Sequence, residues 1–162
     1  MHKPENPIAQ KVIDDVKKHG WHVIKVMADA EALPFAYTIG LYQTFHHPEI
    51  IVVGLPVDTG HVLLNIAGDG IRAGGTYREG MHAEEFLDEY RCPFRSVHAR
   101  HYPTYLGWAM WFYGGEDFSV LQLVYPDRYH QWPWDPGVEP SFRLMQPILT
   151  SADDESPASK TG

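Results

Sequence analysis

Residues 34–56 read PFAYTIGLYQTFHHPEIIVVGLP. Phe35, Tyr37, Ile39 and Leu41 alternate with Ala36, Thr38 and Gly40, the period of two that marks a strand with two unlike faces. Ile50 to Leu55 is a continuous apolar run, as expected of a strand covered on both sides. Between them lies a polar, aromatic connection, Thr44-Phe45-His46-His47-Pro48-Glu49. This two-strand unit is expected to be the centre of the fold.

Working upstream, Asn6 reads as a helix N-cap and Pro7 as the first helical position. Ile8, Val12, Ile13 and Val16 supply an apolar stripe at helical spacing. Lys17, Lys18 and His19 place positive charge in the last turn, and Gly20 suits the left-handed closing position. Trp21 to Val26 follows as a strand.

Downstream, Pro56 and Asp58 open a second helix with Val62, Leu63, Ile66 and Ala67 inward and Gly68 or Gly70 as its stop. The glycines of residues 71–80 lack the Gly-Lys-Ser/Thr ending of a phosphate loop and the spacing of a dinucleotide fingerprint. Met81 to Tyr90 reads two ways; as a helix it would solvate Glu84, Glu85, Asp88 and Glu89 and turn Phe86, Leu87 and Tyr90 inward. Phe94 to His101 reads as a strand with His98 and Arg100 on one face and His101 on the other. Tyr102-Pro103 begins a third helix that Gly114-Gly115 stops, and Phe118 to Val124 is a last strand. Prolines then exclude regular structure from Tyr125 to Pro147, where Trp132, Trp134 and Phe142 are expected to pin a wrap across the core. Thr150 to Gly162 has almost nothing to bury and is expected to be a disordered tail. The expectation is a single α+β domain over residues 1–149: a mixed, mostly antiparallel, partly closed sheet with about three packed helices.

The charge balance, 13 basic against 21 acidic residues for a net −8, offers no basic patch to nucleic acid or to an anionic membrane. A single cysteine, Cys92, cannot form an intrachain disulfide, and a reducing cytoplasm is the default for such a chain. No apolar segment reaches the length that spans a bilayer, and the first ten residues lack the apolar core of a signal peptide.

Several blocks together resemble the bacterial "domain of unknown function 4262" family. They are His19-Gly20-Trp21, residues 35–41, His47-Pro48-Glu49, Gly54-Leu55-Pro56, residues 120–127, Trp132-Pro133-Trp134 and Gln146-Pro147. The resemblance implies a soluble bacterial protein. It transfers no activity and no catalytic residue.

Three constellations could carry chemistry. His47 and Glu49 would share one side of an extended backbone and could act as an acid–base pair; the bland reading is that loop polar groups need partners whatever the function. His98, Arg100 and His101 suit an anionic group, whereas metal ligation finds no His/Cys ligand spacing to support it. The small-residue face of Ala36, Thr38 and Gly40 allows close approach, either by a helix or by a planar ligand such as a flavin. With no complete catalytic set legible, the sequence favours a module binding a small ligand or a protein partner. The alternatives are an enzyme with a His/Glu/Arg acid–base site and a flavin-binding, split-barrel-like protein. Self-association is compatible with any of these.

Overall fold

The computed structural model describes residues 7–150. In chain order these form α1 (Pro7–His19), β1 (His22–Val26), β2 (Phe35–Ile39), α2 (Leu41–Phe45), β3 (Glu49–Val53), α3 (Val57–Arg72), β4 (His82–Leu87) and β5 (Tyr90–Ser96). A 3₁₀ turn (Ala99–His101), α4 (Tyr102–Tyr105), α5 (Gly107–Tyr113), β6 (Val120–Leu123) and α6 (Pro140–Met145) follow. The strands form one mixed sheet in the order β1-β2-β3-β6-β5-β4, in which only β3 and β6 run parallel. Residues 34–56 thus lie at the centre, with β2 and β3 buried along their whole length.

The α+β class and the mostly antiparallel sheet are as expected; partial closure is not. β1 and β4 are free edges at opposite ends of an open sheet. Helices cover the apolar faces that closure would otherwise have to bury. On one face Ala36, Ile50 and Val52 pack with Leu63, Leu64 and Ala67 of α3. On the other, Tyr37, Ile39, Ile51 and Val53 pack with Val12, Ile13 and Val16 of α1 and with Ala109 and Phe112 of α5.

α1 forms with Val12, Ile13 and Val16 of its apolar stripe inward and Ile8 exposed, and Gly20 (φ 99°) closes it by donating its N–H to the Val16 carbonyl at 2.9 Å. Its expected cap, Asn6, lies outside the described residues. α3 runs through both of its expected stops to Arg72. Gly68 does not end the helix; it makes room for the Trp21 ring, which a Cβ there would overlap. Gly60 does the same for the sheet: a Cβ would lie 3.1 Å from Val52 and 3.3 Å from Ala36. Close helix–sheet contact offsets the ~1 kcal/mol that each helical glycine costs relative to alanine. The helix also turns differently from expectation, with Leu64 and Ile71 buried and Val62 59% exposed.

Met81–Tyr90 is a strand and a turn. β4 and β5 form a hairpin, with Glu89 in the left-handed region (φ 67°) and Ala83 and Phe86 facing the core. Beyond β5, strand structure stops at Ser96, not at His101. The His98 ring accepts the Arg100 N–H at 3.0 Å and so caps a 3₁₀ turn. The His98 N–H meanwhile donates to the Leu149 carbonyl.

The C-terminal wrap is present, although α6 is regular helix inside the stretch from which prolines were expected to exclude it. Trp132 helps to pin the wrap, donating its indole N–H to the Arg91 carbonyl at 3.1 Å and packing edge-on to His82. Two fully buried glutamines add to this. Gln146 bonds both the N–H and the carbonyl of Tyr125 (3.0 and 2.9 Å), and Gln122 bonds the Pro147 carbonyl and the Leu149 N–H (both 2.9 Å). The Tyr125 hydroxyl ties the same segment to the Val53 carbonyl. Phe142 packs on the core, whereas Trp132 and Trp134 stack on each other half-buried, with the Arg95 guanidinium over Trp134 at 4.7 Å. Of the expected tail, Thr150 to Gly162, all but Thr150 lies outside the described residues.

Candidate functional site

Gly40 turns the chain with φ 116°, and α2 begins at Leu41 where the sequence reading continued the strand. That turn aims three successive backbone N–H groups at Glu49. Its Oε1 accepts from the Thr38 hydroxyl (2.8 Å) and the Leu41 N–H (3.2 Å), and its Oε2 from the N–H of Gly40 (2.9 Å) and Tyr42 (3.1 Å) and from the Tyr113 hydroxyl. The Thr38 hydroxyl in turn accepts the Ile50 N–H at 2.9 Å, bridging β2 and β3 where their ladder ends. Glu49 has no exposed surface. Burial pushes its carboxyl up from the ordinary value, against the pull of these donors. The arrangement is an internal carboxylate receptor that Glu49 itself fills.

His47 is equally committed. Its Nε2 accepts the Tyr77 N–H at 3.0 Å, which leaves the proton on Nδ1 to be donated to the Pro48 carbonyl at 2.8 Å. The ring is 4% exposed and burial lowers its pKa, so it is a neutral brace between two loops.

The other candidates do not join this pair. His98 caps its own turn, Arg100 is exposed within that turn, and His101 is buried beside Tyr102 on the α1/α5 side. His47, by contrast, packs edge-on to Tyr77, which belongs to the α3-side cluster. The Ala36 face lies under Gly60, the Thr38 hydroxyl is engaged, and a Cβ at Gly40 would stand 2.6 Å from the Gly20 carbonyl oxygen. No flat space for a flavin remains there. Among the described residues no three His, Cys, Asp or Glu are placed to hold a metal. Burial pushes the Cys92 thiol up to about 12, which leaves it unreactive.

Chemistry-bearing side chains do converge elsewhere, on a cleft of roughly 530 Å³ that runs along edge strand β1 between α1 and α3. From α1, Asp15 bonds His22 of β1 (Oδ2 to Nδ1, 2.7 Å) and Lys11 (3.1 Å). Partial burial would raise the Asp15 carboxyl, but these two partners outweigh it and hold it below its ordinary value. From α3, Asn65 accepts the Trp21 indole N–H at 3.0 Å. Arg72 lies 4.6 Å over the Trp21 ring and donates to the His19 carbonyl. His61 faces β1; burial, Lys25 and His22 each lower its pKa. Among the described residues, neither the His61 ring nor Nε2 of His22 has a hydrogen-bond partner.

Sequence reasoning missed this group. The available signal was positional: Lys11-Asp15-His19 and His61-Asn65-Asp69 recur every fourth residue, on the polar sides of their helices. Such stripes are ordinarily solvated faces. Only the placement of β1 between them makes one opening.

The family profile described as Domain of unknown function (DUF4262) matches residues 15–139, and the chain belongs to that family. No curated protein and no solved structure matches it. Among the described residues, no helix is long and apolar enough to cross a membrane.

Proposed function

From membership of a family whose description names no activity, and from the geometry of the β1 cleft, we propose that the protein is a small-ligand-binding module whose site lies between α1 and α3. The observation that carries this reading is the pairing of two imidazoles with free nitrogens at one opening. His22, held by Asp15, presents Nε2, and His61 faces it from α3. Buried or half-buried polar groups normally find protein partners. Free ones at a concave site are what a ligand requires, and Trp21 and Val23 supply the apolar wall. The acidic balance of the chain fits a ligand other than nucleic acid, and its single cysteine fits a cytoplasmic location.

The same pair favours a second reading, an acid–base enzyme. A carboxylate on Nδ1 fixes the tautomer that leaves Nε2 as a base, the role for which His–Asp pairs serve elsewhere.

Thermal shift against a small-molecule panel tests the site, run on the wild type and on His61→Trp, which fills the cleft. A ligand that stabilises the wild type and not the variant, with equal melting temperatures for the free proteins, supports the reading. Equal stabilisation of both by every hit would place binding elsewhere.

A further inference from the structure

We propose that the ligand of this cleft is a small uncharged polyol whose hydroxyl groups are held between His22, His61 and Asn65. This rests on the cleft being the binding site. The charged part of the lining offers nothing to an ion. Lys11 pairs with Asp15 at 3.1 Å, Lys25 with Asp58 at 3.3 Å and Arg72 with Asp69 at 3.9 Å. Each cation has its own carboxylate, so a charged ligand would have to break one pair to make another.

The uncommitted groups are polar and neutral, and chemistry fixes the sense of two of them. A carboxylate only accepts, so the 2.7 Å contact with Asp15 sets the His22 proton on Nδ1 and leaves Nε2 as an acceptor. An indole N–H only donates, so its 3.0 Å bond turns the Asn65 oxygen toward Trp21 and leaves the NH₂ group as a donor. His61 stands one turn before Asn65 on α3, and with neither nitrogen engaged it can serve in either sense. Among the described residues no buried side-chain nitrogen or oxygen lacks a partner, so these three unengaged groups are open to the cleft.

An acceptor on β1 and a donor on α3, at one opening, call for a ligand with both senses. A hydroxyl has both and rotates to suit, and neighbouring hydroxyls supply several in one small molecule. An apolar ligand would strand the three groups away from water. A flat heterocycle would lack a face to stack on, because Trp21, the only indole or phenyl ring on the lining, is 7% exposed beneath the Arg72 guanidinium. At roughly 530 Å³ the cleft admits a cyclic polyol.

The test is an NMR titration of the full-length protein with myo-inositol, following the His22 and His61 rings and the Asn65 side-chain amide. The expected result is saturable shifts at those groups in the millimolar range. The midpoint should be the same at about 0.01 M and about 1 M salt, because screening acts on charges and not on a neutral polyol. Asn65→Asp keeps the acceptor for Trp21 and removes the donor, so it should weaken binding about tenfold or more, the factor that one unpaired hydrogen bond represents. His22→Phe removes the acceptor and should have the same effect. Shifts that fail to saturate or that fall elsewhere, or full affinity in either variant, overturn the proposal. Inorganic phosphate and methylammonium are titrated in parallel. If either moves these resonances saturably and myo-inositol does not, the ligand class is wrong and the cleft reading stands. If none of the three does, the class falls and the thermal-shift comparison with His61→Trp decides the cleft reading alone.

Discussion

Replacing Glu49 with glutamine tests the buried carboxylate receptor directly. The side chain keeps its shape, and the amide oxygen can still accept from Thr38 and Leu41. The new NH₂ would then face the N–H groups of Gly40 and Tyr42, which are fixed by the backbone and cannot reverse. Each buried donor left unpaired costs about 1–3 kcal/mol. The loss at neutral pH is therefore expected to be about 2–6 kcal/mol, reduced by relief of burying a charge. Tyr113→Phe removes one donor and leaves the carboxylate four, so it should cost less, about 1.5–3 kcal/mol for a hydrogen bond to a charged group. The pH dependence follows from the raised pKa. Above the ordinary carboxyl value of 4.5, the unfolded chain gives up this proton before the folded one does. Glu49 thus favours the folded state most at acid pH, and its contribution declines as pH rises through the folded pKa. Glu49→Gln has no such proton, so the gap between the two proteins should narrow from pH 4.5 upward. Urea unfolding across pH 4–8 measures both. A substitution cost within 0.5 kcal/mol at every pH, the range of ordinary surface changes, would refute the receptor.

His47→Ala should cost about 1–3 kcal/mol, because the Tyr77 N–H and Pro48 carbonyl lose their partner; since the native ring has a lowered pKa, wild-type stability falls as pH drops below 6.5, and urea unfolding of the variant should show a flatter slope there. Gly68→Ala forces a methyl group into Trp21 and should cost about 1–3 kcal/mol by thermal or urea unfolding, where an ordinary glycine-to-alanine change in a helix would stabilise. Trp134→Ala removes a half-buried ring and a guanidinium contact worth about 0.5–1 kcal/mol, so its total cost should stay well below the 3–5 kcal/mol typical of a core tryptophan; a loss in that upper range would return Trp134 to the core.

What was legible in the sequence is what local pattern controls. The helix of Pro7–His19 was readable from its stripe, its basic last turn and Gly20, and β3 from its unbroken apolar run. Errors arose where a distant partner decides. Gly68 reads as a stop until Trp21 stands against it, and residues 81–90 read two ways until β5 offers residues 82–87 a ladder. The strand alternation at His98–His101 was coincidence, overridden when the His98 ring capped the backbone two residues on. Gln122 and Gln146 gave no signal, because a buried amide differs from an exposed one only in the long-range bonds it makes.

The same distinction separates the two polar groups. His47 and Glu49 drew attention because they stand close in sequence within the central unit. At the centre of a sheet covered on both faces, however, every polar atom must be satisfied by protein, and a loop that leaves β2 and re-enters at β3 exposes its amides to that demand. Glu49 answers it for α2 and His47 for the loop at Tyr77. A ligand would have to displace these bonds before it could form its own. At the β1 edge the constraint is relaxed: the strand has one sheet neighbour, and polar side chains of α1, β1 and α3 border an opening instead of the closed core. His22 and His61 are imidazoles that line that opening, which is why the site proposed above lies at the rim of this sheet, away from the most polar stretch at its centre.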